Sequence, residues 1–374
     1  MTKKIMYLIT SLAHKRVFES FEERDDMKQM VVGPKPVITS GIVPEDYSDF
    51  KIKNIQTYSK YGEIQSIVNK FKPDIFVQAS LPCASGIKLS SGCKKVYVSH
   101  GMIGNHTKGT IKKSELNTSV WRGCDLYCGA TKVFADWVKH VAKVDNNKIL
   151  LNALPQLDIL CDENYYKSCR KKILNNTNFP GAKKVILFVG FCCKDRYSFV
   201  KHNEDYFRSV LALEKIAKKN NWLVMVKPRH EYARIMKFLQ THAWGKKYIK
   251  SYANIQQSKH LYFITTTGHI YRYFFADAIV LNGTSTVEVE ACAIKKPLFI
   301  VRTEVDKKYD PHGVLNAGAA VGVHNLDKLE LYLEQHFGDG NFHSPDKQTR
   351  IIKDMEITFD GKMHARIQNK LRII

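Results

Sequence analysis

Short apolar runs alternate with longer amphipathic stretches along almost the whole chain, and this alternation restricts the fold more than any other feature. The runs hold four to seven residues of Val, Ile, Leu, Phe and Tyr. Such runs are typical of strands that helices cover on both faces of a parallel sheet. We predict ten strands, at Ile5 to Thr10, Pro36 to Thr39, Asp74 to Gln78, Lys95 to Ser99, Leu126 to Gly129, Val185 to Val189, Leu223 to Lys227, Ala278 to Asn282, Leu298 to Val301 and Ala320 to Val323.

The stretches between these runs have the length of helices, and each carries one apolar stripe. Examples are residues 131–143, 205–220 and 285–296. Alternating strands and helices predict an α/β architecture. A chain of 374 residues exceeds the size at which one hydrophobic core keeps growing, so we expect two domains. The polar stretch from Asp162 to Ala182 is the predicted connection between them.

The charge balance indicates an anionic partner. The chain has 58 Lys and Arg against 36 Asp and Glu, a formal charge of +22. A partner of this kind could be a nucleic acid, an anionic membrane surface or a phosphate-bearing substrate. A general enrichment of the sequence in lysine would explain the same charge without any such partner. The basic residues are dispersed and no aromatic-interleaved basic block accompanies them, so we do not expect specific nucleic-acid binding.

Several patterns bear on location and metals. No apolar run approaches the roughly 18 residues that span a bilayer, and the apolar stretch near the start is too short for a secretory signal, so we expect a cytoplasmic protein. The nine cysteines are odd in number and scattered, which favours a reducing compartment. Without a CxxC pair or a DxD motif, we predict no metal site.

The first candidate site lies between Leu281 and Pro297. A strand runs into Asn282-Gly283, and Thr284, Ser285 and Thr286 then stand at the start of a predicted helix. Free backbone N–H groups, hydroxyl donors and the positive end of the helix dipole suit a phosphate at the carboxyl edge of a parallel sheet. Glu290, further into the helix, could accept hydrogen bonds from ribose hydroxyls. An ordinary N-cap and a surface glutamate are the structural alternatives.

Two further strand ends carry polar groups. Lys227, Arg229 and His230 end one strand together, a cluster that suits a pyrophosphate, although an exposed basic turn would look the same. His100 and Gly101 follow another strand and open a glycine-rich loop, where an imidazole can face a ligand or serve a structural purpose.

The order of these motifs resembles the CDP-glycerol glycerophosphotransferases of teichoic-acid and capsule synthesis. The matching segments, within residues 94 to 367, are His100-Gly101, NALPQLD at 152–158, VKPRH at 226–230, NGTSTVEVE at 282–290, KKP at 295–297 and FDGKMHARI at 359–367. This chain has Gln156 where the family has Arg, and Gly283-Thr284 where the family has Asp-Tyr. It also has Lys-Pro-Arg-His where the family has Lys-x-His-Pro.

The resemblance implies a GT-B fold, in which two Rossmann-like domains face each other across a cleft. It places an acceptor domain at 1–165, a nucleotide-binding domain at 180–343, and at 344–374 a C-terminal helix that packs back on the first domain. His100 matches the family's first essential histidine, proposed as general base, and His230 falls near the second, which supports the phosphates. Ser285 and Thr286 match its Ser-Ser pair, and Glu290 matches the acid that follows.

The implied reaction is transfer of glycerophosphate, or a related polyol phosphate, from CDP-glycerol with release of CMP. The acceptor would be a polyol-phosphate or glycan polymer of the cell surface, a lipid-linked one included, and the protein would sit peripherally on the inner face of the membrane. No cofactor beyond the nucleotide-activated donor, and no metal, is expected. A GT-B glycosyltransferase that uses a nucleotide sugar is the close alternative, and a non-catalytic polyanion-binding or nucleic-acid-binding protein is the alternative of another class.

The C-terminal half is also similar to the UDP-GlcNAc 2-epimerases. That comparison aligns Glu290 with a ribose-binding glutamate and Thr284 with a phosphate-binding serine. The catalytic carboxylates of these epimerases belong to the first half, where the corresponding strands here end in QASLP and SHGMIG. Without an acid there, proton abstraction from the sugar lacks its base, so we disfavour epimerisation.

Overall fold

The computed structural model divides the chain into two compact units. The N-terminal unit comprises Met1–Cys161 and Lys353–Ile374, and the C-terminal unit comprises Asp162–Ile352. The structure describes residues 2–10, 12–35, 47, 50–79, 86–99, 123–190, 200–228, 232–264, 270–283, 285–302, 310, 312–339 and 344–374.

The N-terminal unit is built on a seven-stranded sheet, in the order β3-β2-β1-β4-β5-β6-β7, in which every neighbouring pair is parallel. Its strands are β1 Lys3–Leu8, β2 Met27–Pro34, β3 Ile55–Tyr58, β4 Ile75–Gln78, β5 Lys94–Val98, β6 Leu126–Cys128 and β7 Ile149–Leu150. Its helices are α1 Leu12–Phe18, α2 Glu63–Phe71, α3 Lys132–Ala142 and the last helix of the chain, α11 Met363–Ile373.

Strand β1 shows how the sequence builds this core. Successive side chains of a strand point to opposite faces, so Ile5 and Tyr7 belong to one buried cluster and Met6 and Leu8 to another. The first cluster also contains Leu371 of α11, so the C-terminal helix completes the core of the N-terminal unit.

The C-terminal unit repeats the plan with six parallel strands, in the order β10-β9-β8-β11-β12-β13. Its strands are β8 Val185–Gly190, β9 Leu223–Pro228, β10 Leu261–Phe263, β11 Ala278–Asn282, β12 Leu298–Val301 and β13 Val321–Val323. Its helices are α4 Glu163–Leu174, α5 Val200–Asn220, α6 Tyr232–Thr241, α7 Lys246–Ile255, α8 Val287–Ala293, α9 Asp327–Asp339 and α10 Pro345–Asp354, the last of which runs on into the N-terminal unit.

Both sheets are doubly wound. Each begins at a central strand, grows to one side, and then returns to grow on the other, so the order reverses between β1 and β4 in the N-terminal unit and between β8 and β11 in the C-terminal unit. In such sheets ligands bind outside the carboxyl ends of the strands at the point of reversal. The predicted fold class, an α/β protein with two Rossmann-like units of the GT-B type, is confirmed.

Some elements escaped prediction. The strand expected at Pro36 to Thr39 lies outside the described residues, while β2 and β3 were not predicted. Both carry polar residues inside the strand, such as Lys28 and Gln29 of β2, which break the apolar signature. Strands β7 and β10 are only two and three residues long, and α4 occupies the stretch expected to be a connection.

No helix within the described ranges combines the length and the apolar character that a bilayer crossing needs.

Candidate functional site

The candidate site of the C-terminal unit starts at the carboxyl end of β11. The strand ends at Asn282, and Gly283 then turns the chain with a positive φ of 82°, a conformation that glycine adopts without steric cost. Thr284 lies outside the described residues, and helix α8 begins at Val287 after Thr286. The helix has seven residues and ends at Ala293, earlier than the predicted stretch through Lys296.

Ser285 and Glu288 form a capping box at the start of α8. The Val287 N–H donates to Ser285 Oγ at 3.3 Å, and the Ser285 N–H donates to Glu288 Oε1 at 3.1 Å. The Thr286 side chain makes no capping bond. This reciprocal arrangement satisfies backbone donors that a helix start leaves open. The N-cap alternative is therefore present here, and the role of Ser285 and Thr286 toward a phosphate stays a prediction.

Glu288 belongs to a buried network of charged residues that sequence reasoning missed. Its side chain is completely buried, and its Oε2 lies 3.1 Å from His312 Nδ1. The buried guanidinium of Arg302, just after β12, lies 3.9 Å from Glu288 Oε1 and 3.9 Å from Asp310 Oδ1. The Ser-x-x-Glu spacing of the capping box was the signal that could have identified Glu288.

Glu290 is buried, with 7% of its surface exposed, and accepts a hydrogen bond from the hydroxyl of Tyr271 at 2.9 Å. This bond ties α8 to the short helical segment Ile270–Tyr273. One carboxylate oxygen therefore has a structural partner within the protein. Binding of a ribose by Glu290 stays a prediction.

The neighbouring thiol of Cys292 lies in surroundings that favour its protonated form. Cys292 of α8 is buried, and burial, together with the negative charges of Glu288 and Asp310, raises its pKa to about 12. A nucleophilic cysteine needs a lowered pKa, because the thiolate is the reactive form. We therefore expect Cys292 to stay in the thiol form near neutral pH.

Lys227 lies near the same edge of the sheet. It is half-buried near the end of β9, where it pairs in register with Val189 of β8, and its Nζ lies 3.4 Å from the Pro228 carbonyl oxygen. Since β9 and β11 flank β8, and neighbouring strands are about 4.8 Å apart, the strands that carry Lys227 and the Ser285 turn are about 10 Å apart.

The remaining predicted site residues are not described. Arg229 and His230 directly follow β9, and His100 and Gly101 follow β5 and Ser99, but all four lie outside the described residues. Their proposed roles stay predictions.

Two motifs of the resemblance meet in the N-terminal unit. Asp158, the last residue of NALPQLD, accepts hydrogen bonds from the Met363 N–H at 2.9 Å and the His364 N–H at 2.8 Å, and its Oδ2 lies 2.6 Å from His364 Nδ1. The carboxylate thus caps the first turn of α11, and its negative charge interacts favourably with the positive end of the helix dipole. Next to this cap, Asp360 pairs with Arg366. These motif residues anchor the C-terminal helix.

The KKP motif lies at the opposite edge of the C-terminal sheet. Lys296 precedes β12, and its Nζ donates to the Ala276 carbonyl oxygen, just before β11, at 2.9 Å. Burial lowers the pKa of Lys296. This contact is structural, because ligands of doubly wound sheets bind at the carboxyl edge.

The described part of the chain contains no group of three or more His, Cys, Asp or Glu side chains that could hold a metal ion.

Comparison with known proteins gives a clear result at the level of the fold. No protein-family model matches the sequence, and no curated protein matches it significantly. Among solved structures, the wall teichoic acid polymerase TagF has a TM-score of 0.69 at 12% identity, over 100% of this chain and 89% of that one. A TagF variant soaked with CDPG has a TM-score of 0.63 at 13% identity, over 99% of this chain and 88% of that one.

A second group of similar structures contains a UDP-GlcNAc 2-epimerase and the protein MnaA, each with a bound nucleotide compound. The UDP-GlcNAc 2-epimerase of Neisseria meningitidis bound to UDP-GlcNAc has a TM-score of 0.62 at 12% identity, over 99% of this chain and 100% of that one. The S. aureus MnaA-UDP co-structure has a TM-score of 0.59 at 14% identity, over 99% and 96% of the two chains. The similarity to both groups that the motifs predicted is confirmed for the fold.

Proposed function

Because the chain has the GT-B architecture of enzymes that use nucleotide-activated compounds, we propose that it is a transferase with a nucleotide-activated donor. The proposed reaction is transfer of glycerophosphate, or a related polyol phosphate, from CDP-glycerol to a polyol-phosphate or glycan acceptor. The carboxyl edge of the C-terminal sheet carries the proposal. There the end of β11, the hydroxyl groups of Ser285 and Thr286 and the ammonium of Lys227 lie beside the point of strand reversal.

In the proposed complex the C-terminal unit binds the donor. Lys227, Arg229 and His230 neutralise the diphosphate from the end of β9, and Thr284 to Thr286 donate hydrogen bonds to it from the turn after β11. Glu290 accepts from the ribose hydroxyls. These cations and donors would take the place of a metal ion, and no other cofactor is proposed.

In the proposed mechanism an acceptor hydroxyl attacks the β-phosphorus of CDP-glycerol in line. His100 removes the proton of that hydroxyl, the new phosphorus–oxygen bond forms, and the bond to the bridging oxygen breaks, so CMP leaves with the bridging oxygen and its electron pair. The cationic groups of the C-terminal unit stabilise the charge on the phosphoryl oxygens. Such electrostatic stabilisation is commonly the largest contribution to catalysis of this kind.

A donor screen tests this proposal. We expect CDP-glycerol or CDP-ribitol to raise the melting temperature more than UDP-, GDP- or CMP-sugars, and CMP to appear when a polyol-phosphate acceptor is added. Stabilisation by no nucleotide in this set would refute the proposed function. Binding of CDP-glycerol without release of CMP, for every acceptor tried, would refute the transfer step alone.

A nucleotide-sugar glycosyltransferase is the second candidate, and the similarity to the MnaA-UDP co-structure favours it. The same sheet edge would then hold UDP. The product distinguishes the two, because a glycosyltransferase releases UDP from a UDP-sugar, whereas the glycerophosphotransferase releases CMP.

A polyanion-binding protein without catalysis is the candidate of a different class, and the formal charge of +22 favours it. Filter binding with DNA separates this candidate from the enzyme. Tight DNA binding combined with no nucleotide-induced stabilisation would support it.

A further inference from the structure

Asn282 is a buried carboxamide without a hydrogen bond to any residue that the structure describes. It is the last residue of β11 and only 1% of its surface is exposed. Both polar atoms of its side chain, Nδ2 and Oδ1, are buried and have no hydrogen-bond partner within the described ranges. Such an arrangement destabilises the folded state, and buried polar groups are nearly always paired. An unpaired carboxamide at this place therefore requires an explanation.

The position of Asn282 supplies one. It pairs in register with Gly190, the last residue of β8, and with Val301, the last residue of β12. The order of the sheet reverses between β8 and β11, so Asn282 stands at the carboxyl edge directly beside the reversal point. This is where doubly wound sheets bind their ligands.

The other strands end there in residues without polar side chains. The row of paired strand ends runs from Pro228 of β9 through Gly190 and Asn282 to Val301 of β12. Within this row Asn282 alone carries a polar side chain. Its carboxamide is therefore the side-chain hydrogen-bonding group that the ends of these strands offer to a ligand.

The N-terminal unit has the same feature at the equivalent place. Gln78 is the last residue of β4, pairs with Leu8 of β1 beside the reversal point, and is 5% exposed with an unpaired Oε1. Of the other buried carboxamides in that unit, Gln29 and Gln368 are paired, whereas Gln156 also has an Oε1 without a partner among the described residues. Gln29 bonds to Tyr7, and Gln368 donates to the Glu22 carbonyl oxygen and accepts from its N–H. A buried carboxamide with an unpaired polar atom thus stands beside the reversal point of both sheets, although such atoms also occur at other positions; Asn282 differs from Gln78 in that neither of its polar atoms is paired with a described residue.

We infer that Asn282 is a donor-binding residue, whose Nδ2 donates a hydrogen bond to a diphosphate oxygen of a bound nucleoside diphosphate. The inference rests on the proposed function, because it places the diphosphate at the turn after β11. Its chemistry follows from the carboxamide, which offers an N–H donor to an anionic oxygen and leaves Oδ1 to accept from a hydroxyl of the same ligand. The polar atoms of Asn282 then serve ligand binding and do not stabilise the fold.

The variant Asn282→Leu tests this inference, since leucine has a similar shape and no polar atoms. Calorimetry with CDP should show a roughly tenfold to hundredfold weaker affinity, the range for a hydrogen bond to a charged group. The melting temperature of the free protein should stay the same or rise, because the unpaired polar group is gone. Loss of binding with retained stability is a result that a purely structural role does not produce.

Gln348→Leu is the matched control. Gln348 is a buried carboxamide of the same unit whose Oε1 also lacks a partner among the described residues, but its Nε2 donates to the carbonyl oxygens of Lys296 and Ala319, which precede β12 and β13 at the opposite edge. This variant should melt at a lower temperature and bind CDP as the wild type does. If it loses CDP affinity as Asn282→Leu does, the effect is a general one and the inference is overturned.

The outcomes separate the inference from the proposed function. Wild-type affinity for CDP in Asn282→Leu overturns the inference and leaves the function standing. Absence of CDP and UDP binding to the wild type overturns both. Should Asn282→Leu melt early, Asn282→Ser, which keeps a donor, decides the matter: affinity between those of the wild type and the leucine variant supports the inference, and wild-type affinity overturns it.

Discussion

At the scale of single residues, Glu290 has Tyr271 as a partner in the protein and a proposed partner in the donor. Tyr271 donates to one of its carboxylate oxygens, so the carboxylate is held in place whether or not a ribose binds. A hydrogen bond to a carboxylate contributes about 1.5 to 3 kcal/mol, and the two partners can be removed separately.

We expect Glu290→Gln to weaken nucleotide binding about tenfold or more, because the ribose loses a charged acceptor. Tyr271→Phe should lower the melting temperature and change nucleotide affinity by less than threefold, because the carboxylate remains. Calorimetry and thermal unfolding of both variants check this. Unchanged affinity in Glu290→Gln would remove Glu290 from the site.

The two histidines at strand ends have different expected roles. In the sequence, His100 comes two residues after β5 of the N-terminal unit, and His230 comes two residues after β9 of the C-terminal unit. An imidazole commonly titrates near neutral pH, which suits a general base. His100→Ala should lower turnover about 10²- to 10⁴-fold with donor affinity near that of the wild type. His230→Ala should reduce both, because the donor phosphates are charged before and during the reaction. Full activity in a well-folded His100→Ala protein would refute the assignment.

At the scale of elements, one carboxylate, that of Asp158, caps the start of α11. Asp158→Ala should speed hydrogen–deuterium exchange over residues 363–373. It should also destabilise the N-terminal unit by about 1 to 3 kcal/mol, because removal of this buried cap leaves the Met363 and His364 N–H groups unpaired. Asp162→Ala is the control. Asp162 caps α4 through the Asn164 and Tyr165 N–H groups, but it is exposed, so we expect a loss of about 1 kcal/mol. Equal losses in the two variants would contradict the special role of Asp158.

The elements also show what the sequence could predict. Buried strands such as β8 and β11 are continuous apolar runs and were placed within a residue. Strand β2 was missed because Gln29 hydrogen-bonds inside the core and Lys28 is exposed, so the run reads as polar. Strands of two or three residues carry too little pattern to be recognised.

The candidate site was predictable only in part. The turn after β11 follows from a strand that ends before Gly283 and hydroxyl residues, and Ser285 was identified. The network of Glu288, Arg302 and His312 was not, because its members are far apart in sequence and only the sheet brings them together. Asn282 was quoted within a motif but had no assigned role, since its lack of partners is visible only in the folded chain.

At the scale of the whole molecule, the formal charge of +22 produces an electrostatic attraction that acts over longer distances than any single contact. An acceptor on an anionic surface would attract such a protein without any spanning helix, and each basic residue near the surface contributes about 1 kcal/mol. Salt screens this attraction, because the Debye length falls from about 10 Å at 0.1 M to about 3 Å at 1 M.

We therefore expect the protein to bind vesicles that contain phosphatidylglycerol at 0.1 M salt, and the affinity to fall at least tenfold at 1 M, because screening removes the long-range attraction. Cosedimentation with vesicles at both salt concentrations measures this, and vesicles of phosphatidylcholine alone are the control. Binding that is equal on neutral and anionic vesicles would indicate apolar insertion, and binding that is insensitive to salt, or absent, would refute electrostatic recruitment. Since the proposed donor site occupies one sheet edge and the basic residues are dispersed along the sequence, CDP should not displace the protein from the vesicles, whereas an added polyanion should.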